Sequence, residues 1–137
     1  MPQVRGVLET SLYVSDLERS RSFYTHLFGF EPLRQDERFC ALNVTGRQVL
    51  LLLQRGGTAE RVVTPGGSIP PHDGDGRLHL TFAIGRDDLD PWERLLQRDQ
   101  IPVESRVTWP RGGKSIYFRD PDGHLLELAT PGVWPTY

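Results

Sequence analysis

The chain has 137 residues, of which 25% are charged and 37% apolar, and its formal net charge at pH 7 is −2. This length is enough for one domain with its own core, and the composition is that of a globular protein. The near-neutral charge gives no reason to expect nucleic acid or an anionic membrane as a partner. We therefore expect a single domain over residues 1–137 that binds neither.

The sequence also predicts a cytoplasmic location. Met1 is followed by a polar stretch, and the longest apolar run, Val49–Leu53, is far shorter than the ~20 residues that a spanning helix needs. Cys40 is the only cysteine, which excludes an internal disulfide and fits a reducing compartment. Because Cys40 lies in an apolar, strand-like run, we expect a buried structural thiol and not a nucleophile.

The first part of the chain is predicted to form one βαβββ module, over about residues 5–55. A helix should begin after the N-cap Asp16 and end at Gly29, since these residue types favour those positions. Thr45–Gly46 should form a tight turn between the last two strands. The predicted strands are Val7–Val14, Phe30–Leu33, Arg38–Val44 and Arg47–Gln54.

A connecting segment over about residues 56–76 is rich in Gly, Pro and Thr and shows no periodicity, so we expect a long loop. A second βαβββ module then follows, over about residues 77–131. Asp88 is expected to cap its helix, which should bury Leu89, Trp92, Leu95 and Leu96. Asp120–Gly123 is a strong turn sequence. The predicted strands are Leu78–Ile84, Val103–Val107, Ser115–Phe118 and His124–Ala129.

The two modules can be aligned as a weak internal repeat. At a spacing of 70 residues Glu9 corresponds to His79, and at a spacing of 77 Leu50 corresponds to Glu127. Both His79 and Glu127 lie within apolar strands, where a carboxylate needs a cation, a hydrogen-bond donor or water nearby. Imidazole and carboxylate groups can bind Zn, Ni, Mn or Fe(II). We therefore predict a site for one divalent metal ion formed by Glu9, His79 and Glu127.

Two segments resemble a known family. Leu12–Leu33 is similar to the opening of a vicinal-oxygen-chelate protein, and Ser115–Pro131, with its DPDG-x-x-x-E pattern, is similar to the closing segment. The resemblance implies an α+β fold in which two tandem βαβββ modules form a mixed, half-open barrel around a metal. It also implies a homodimer, and a metal that holds two adjacent substrate oxygens and stabilises an enolate or oxyanion.

The same resemblance places His79 and Glu127 at the family's histidine and glutamate ligands. Glu9 falls where the first module commonly supplies a histidine. Leu50 falls where bacterial glyoxalase I-like members have a glutamate, and its loss weakens the case for that activity. A three-ligand site is more similar to extradiol dioxygenases and fosfomycin-modifying thiol transferases, although those use two histidines and one glutamate.

Several further residues are candidates for a pocket. His72 is a candidate base or substrate contact, against the simpler interpretation of a solvated loop histidine. Arg111 and Lys114, near Gly67, Gly112 and Gly113, can close over an anionic substrate or be ordinary surface charge. Tyr117 can donate a hydrogen bond to a metal-bound oxygen or pack in the core. Trp109 and Trp134 can form a wall for an apolar ligand.

Two functional classes remain open from the sequence. The first is a metal-dependent enzyme acting on a small vicinally oxygenated substrate, by lyase or isomerase chemistry, ring-cleaving oxygenation or thiol addition. The second is a metal-free protein of the bleomycin-resistance type, which sequesters a small ligand. His79 and Glu127 favour the enzyme, but members of one fold differ in chemistry.

Overall fold

The computed structural model describes residues 1–137, which divide into two compact units, Met1–Gly76 and Arg77–Tyr137. Each unit contains an α-helix and a mixed four-stranded sheet that does not close on itself, as expected for the α+β fold. No helix is long and apolar enough to cross a membrane.

The first unit follows the predicted βαβββ order. Its sheet has the strand order β1-β4-β3-β2, with β1 parallel to β4 and the other neighbours antiparallel. The elements are β1 (Glu9–Val14), α1 (Leu17–Phe28), β2 (Glu31–Gln35), β3 (Phe39–Val44) and β4 (Gln48–Gln54).

Helix α1 has the predicted caps. The Asp16 carboxylate accepts a hydrogen bond from the Arg19 backbone N–H at 3.0 Å. Gly29 ends the helix in the left-handed region, at φ 69°, and donates its N–H to Thr25 O. Cys40 on β3 is fully buried, which raises the pKa of its thiol and confirms its place in the core.

The connecting segment differs from the prediction. It was expected to be a loop, but it contains a short hairpin formed by β5 (Val62–Thr64) and β6 (Gly67–Ile69). The two strands pair only with each other and form a separate sheet. Three residues a strand are too few to show a period-two pattern, which explains why the sequence analysis missed them.

The second unit repeats the topology, with the strand order β7-β10-β9-β8 and β7 parallel to β10. Gly123 closes the predicted turn, donating its N–H to Asp120 O at 3.0 Å. The elements are β7 (His79–Ala83), a 3₁₀ turn (Arg86–Asp88), α2 (Leu89–Arg98), β8 (Ser105–Thr108), β9 (Lys114–Arg119) and β10 (Leu125–Ala129).

Helix α2 begins differently from the prediction. The Asp88 carboxylate accepts a hydrogen bond from the Gly85 N–H at 3.1 Å, and therefore closes the preceding 3₁₀ turn instead of capping the first turn of α2. Of the four residues expected to be buried on α2, only Leu96 is fully so. Leu89, Trp92 and Leu95 are half-buried.

Candidate metal centre

Strands β7 and β10 bring the predicted histidine and glutamate ligands onto one face of the second sheet. In the parallel register His79 stands opposite Leu125, and Thr81 stands opposite Glu127. Because side chains alternate along a strand, these residues share a face, while Leu126 and Leu128 point into the core and are fully buried. We call the set His79, Thr81, Ala83, Leu125, Glu127 and Ala129 the site face of the second unit.

His79 and Glu127 form a close pair. The imidazole Nε2 lies 3.2 Å from the carboxylate Oε1, and the imidazole is about half exposed whereas the carboxylate is buried. On the other side of the ring, Nδ1 lies 2.9 Å from Leu125 O. A carbonyl oxygen only accepts, so Nδ1 carries the proton and donates it there. This hydrogen bond orients the ring and directs Nε2 towards the carboxylate.

The Glu127 carboxylate is held by hydroxyl groups on both oxygens. Thr81 Oγ1 donates to Oε1 at 3.1 Å, and Ser115 Oγ donates to Oε2 at 2.5 Å. Trp109 Nε1–H donates in turn to Ser115 Oγ at 2.8 Å. The sequence predicted a cation, a hydrogen-bond donor or water near this carboxylate, and the structure places two hydroxyl donors there. Neither Thr81 nor Ser115 was predicted, although period-two alternation from His79 indicates Thr81.

Tyr117 lies directly opposite Glu127 in the antiparallel pairing of β9 and β10. Its ring stacks on the His79 imidazole, with centroids 6.2 Å apart and an interplanar angle of 27°. Burial, and then the negative charge of Glu127, raise the pKa of the Tyr117 phenol. The phenol is therefore protonated at neutral pH and available as a hydrogen-bond donor beside the pair.

The donor chemistry of this pair fits a divalent metal. A ligating histidine normally donates its second ring nitrogen to a carbonyl or carboxylate, as His79 Nδ1 does here. A ligating carboxylate is normally hydrogen-bonded in turn, as Glu127 is. Nowhere in the chain do three His, Cys, Asp or Glu side chains form a group that could hold a metal ion. The structure thus brings together two of the three predicted ligands.

Glu9, the third predicted ligand, belongs to the first unit. There the parallel register places Glu9 opposite Val49, Ser11 opposite Leu51, and Tyr13 opposite Leu53. By alternation these six residues share one face, which we call the site face of the first unit. Glu9 therefore occupies the position that His79 has in the second unit, as the repeat predicted.

The same register corrects one predicted equivalence. Glu127 stands opposite Thr81, two residues after His79, and the corresponding residue opposite Ser11 is Leu51. The sequence alignment assigned this place to Leu50, which lies on the core face and is 2% exposed. The alignment matched Gly46 with Gly123. The distance along the chain from Gly46 to Leu51 is one residue longer than the distance from Gly123 to Glu127, so the match shifted the equivalence by one residue. A one-residue slip exchanges the two faces of a strand.

His72 and Glu9 both line a cavity of the first unit. Its Nδ1 is 2.7 Å from the Tyr13 hydroxyl, and the two rings meet edge to face. His72 is thus an oriented side chain, in contact with a residue of the site face. Its predicted roles as a base or substrate contact remain predictions.

In the predicted anion-binding segment one of the glycines, Gly113, is closely packed. Gly113 is buried, and a Cβ placed on it would lie 2.4 Å from the Gly132 carbonyl carbon. Its N–H also donates to Gly132 O at 3.3 Å, so this glycine permits close packing and is not a hinge. Arg111 and Lys114 are both exposed on either side of it. Their contact with substrate remains a prediction.

Comparison with known proteins agrees with this topology. Residues 6–128 match the model of the Glyoxalase/Bleomycin resistance protein/Dioxygenase superfamily. The chain is 33% identical over 130 residues to a metallothiol transferase FosB of Shouchella clausii, covering 93% of this chain and 81% of that protein. A FosB of Staphylococcus epidermidis is 40% identical over 130 residues, covering 93% of this chain and 83% of that protein.

A similar solved structure is the lactoylglutathione lyase of Agrobacterium tumefaciens. It superposes with a TM-score of 0.88 at 29% sequence identity, covering 98% of this chain and 99% of the other. Together with the repeated sheet topology, these matches show that the chain belongs to the Glyoxalase/Bleomycin resistance protein/Dioxygenase superfamily.

Proposed function

We propose that this protein is a divalent-metal-dependent enzyme acting on a small substrate that carries adjacent oxygen atoms. The observation that carries the proposal is the pair formed by His79 and Glu127, in which the ring is oriented by Leu125 O and the carboxylate is held on both oxygens. Hydrogen bonds between neighbouring groups and the ligating side chains are usual around metal-binding histidines and carboxylates. Relatives whose names include a metallothiol transferase and a lyase support an enzyme over a binding protein.

The proposed ligands are His79 through Nε2 and Glu127 through Oε1. Glu9, which belongs to the first unit, stays a third ligand predicted from the repeat alone. A divalent metal at this position supplies Lewis-acid polarisation of a substrate oxygen. Tyr117 can donate its phenolic proton in a hydrogen bond to the substrate, because its raised pKa keeps it protonated. Trp109 and Ser115 keep the carboxylate in place.

The choice of reaction class rests on the residue of the first unit that is equivalent to Glu127 in the repeat. Isomerisation by proton transfer benefits from a carboxylate base at the position of the first unit that is equivalent to Glu127, but that position is occupied by Leu51. Addition of a thiol nucleophile does not require that carboxylate, and the name metallothiol transferase belongs to relatives up to 40% identical. We therefore favour thiol transfer over isomerisation and ring-cleaving oxygenation.

A metal-free ligand-binding function is the second candidate. It is favoured by the mainly apolar cavity of the first unit, which needs no metal to hold a ligand. A homodimer, and a cytoplasmic location, remain proposals that sedimentation analysis and cell fractionation would test.

The test is the metal content of the purified protein, measured by elemental analysis in the wild type and in His79→Ala. We expect about one equivalent of a transition metal per chain, lost in the variant because the imidazole is a ligand. The matched control is His26→Ala, a histidine in the last turn of helix α1 that belongs to neither site face. No metal in the wild type after reconstitution would contradict the enzyme and favour the ligand-binding protein. Iron would favour oxygenation, and zinc or nickel would favour lyase or isomerase work, whereas manganese is compatible with both oxygenation and thiol transfer.

A further inference from the structure

The first unit contains a cavity of about 240 Å³ beside Glu9. Strands β3 and β4 contribute Phe39, Leu51 and Leu53, and the hairpin contributes Val62 and Ile69. The remaining lining residues are Glu9, Arg38, Thr58, Pro70 and His72. The walls are thus predominantly apolar, and of the two charged lining residues Glu9 is exposed and Arg38 is half-buried.

This cavity occupies the place that corresponds to the Glu127 carboxylate in the second unit. The parallel registers make Leu51 equivalent to Glu127, and Leu53 equivalent to Ala129. Val62 and Ile69, which pair with each other across the hairpin, line the same space as these two leucines. The site face of the second unit therefore carries polar side chains, whereas the site face of the first unit lines an apolar pocket.

The base of the hairpin is held in a defined position. Thr58 Oγ1 donates to His72 O at 2.6 Å, and the His72 N–H donates to Thr58 O at 3.0 Å. The His72 ring in turn contacts the Tyr13 hydroxyl. A Cβ on Gly74 would lie 2.6 Å from the Tyr13 ring, so Gly74 packs directly against that ring. These contacts fix the polar edge of the cavity before any ligand arrives.

The size and chemistry of the cavity define what it can hold. An apolar cavity of about 150 Å³ binds benzene, so this one accommodates a six-membered ring with a few substituent atoms. Apolar walls disfavour a charged group, because burial removes its hydration. Phe39 offers a ring for an edge-to-face contact.

We propose that this cavity is a binding pocket for an uncharged aryl group. The pocket places the aryl group beside Glu9. The identification of this aryl group as part of the enzyme's substrate rests on the proposed function. The pocket itself does not depend on a metal, because all of its lining residues belong to the first unit and only Glu9 is a predicted ligand.

The probe is p-cresol, which is uncharged at neutral pH, titrated into chelator-treated protein and followed by amide chemical shifts. Val62→Trp fills the pocket, and its matched control is Val63→Trp. Val63 is the next residue of β5, points to the opposite face of the hairpin and is 82% exposed. Should Val62→Trp fail to fold, Ile69→Trp replaces it, because Ile69 is the cross-strand partner of Val62 and lines the same cavity.

We expect saturable shifts at the amides of Leu51, Leu53 and Val62, with binding at least tenfold weaker in Val62→Trp and within twofold of wild type in Val63→Trp. Shifts that do not saturate, or that map elsewhere, would overturn the pocket. Equal effects of the two variants would overturn it too.

The two proposals fail in different ways. Saturable p-cresol binding by a protein that takes up no metal supports the pocket and refutes the enzyme. Stoichiometric metal in a protein that does not bind p-cresol supports the metal centre and refutes the pocket.

Discussion

The two units share one topology and one register but present opposite chemistry on their site faces. In the second unit His79 and Glu127 stand two residues apart in the ladder, with hydroxyl donors around the carboxylate. In the first unit the same two places hold Glu9 and Leu51, beside an apolar cavity. The backbone pairing thus defines positions, and the side chain at each position decides whether a site face presents polar ligand atoms or an apolar surface.

The largest expected effect on stability comes from placing a glutamate on one or the other face of strand β4. Leu50→Glu buries a carboxylate in the apolar core of the first unit. We expect it to lower the free energy of unfolding by about 4 kcal/mol or to prevent folding. Leu51→Glu places the same group on the half-buried site face and should cost roughly 1–2 kcal/mol. Urea denaturation of both variants measures the difference. If Leu51→Glu were the more damaging, the corrected equivalence would be wrong.

Removing the charge from Glu127 should break the metal centre. Glu127→Gln keeps the shape of the side chain but loses an anionic ligand, so we expect metal affinity to fall by more than the roughly 10–100-fold that the loss of an outer contact costs. Competition with a chromophoric chelator measures this. The control is Glu104→Gln, whose carboxylate pairs with Arg119 at the surface. Unchanged affinity in Glu127→Gln would exclude it as a ligand.

Ser115→Ala should have a smaller effect. It removes the donor to Glu127 Oε2 and leaves the Trp109 N–H without this acceptor. We expect about tenfold weaker metal binding, as for other outer contacts of a metal site, and a loss of about 1–2 kcal/mol in stability. Ser105→Ala, on the exposed strand β8, is the matched control. Equal metal affinities in the two variants would show that Ser115 does not position the carboxylate.

The smallest effect concerns the titration of Tyr117. Its pKa is raised first by burial and then by the charge of Glu127, so the phenol should ionise above the ordinary value of about 10. Because the folded form holds this proton more tightly than the unfolded form, stability should fall as pH rises from about 10 through the raised pKa. Glu127→Gln should lower the pKa, though not below the ordinary value, since burial remains. Ultraviolet absorbance of the ionised phenol checks this against Tyr117→Phe, and an unchanged pKa would show that the carboxylate does not act on it.

Local chemistry made most of the fold predictable. Asp16 and Gly29 delimit helix α1, and the turn at Asp120–Gly123 joins β9 to β10, as their residue types indicate. His79 and Glu127 were recognisable because polar side chains stand out within apolar strands. Each of these signals lies within a few neighbouring residues.

The rest depends on pairing that the sequence does not encode locally. The contact of Ser115 with Glu127 follows from the pairing of β9 with β10, and the place of Leu51 follows from the pairing of β1 with β4. A turn that differs by one residue was enough to shift the predicted equivalence to Leu50. The hairpin β5–β6 was missed because its strands are too short to show alternation.

That hairpin also has a consequence for how such a protein can change its ligand. Its strands exchange ladder hydrogen bonds only with each other, so the four-stranded sheet does not depend on them for its pairing. Yet Val62 and Ile69 form part of the pocket wall. We therefore expect substitutions in the hairpin to change which ligands fit the pocket while leaving the pairing of the four-stranded sheet unchanged.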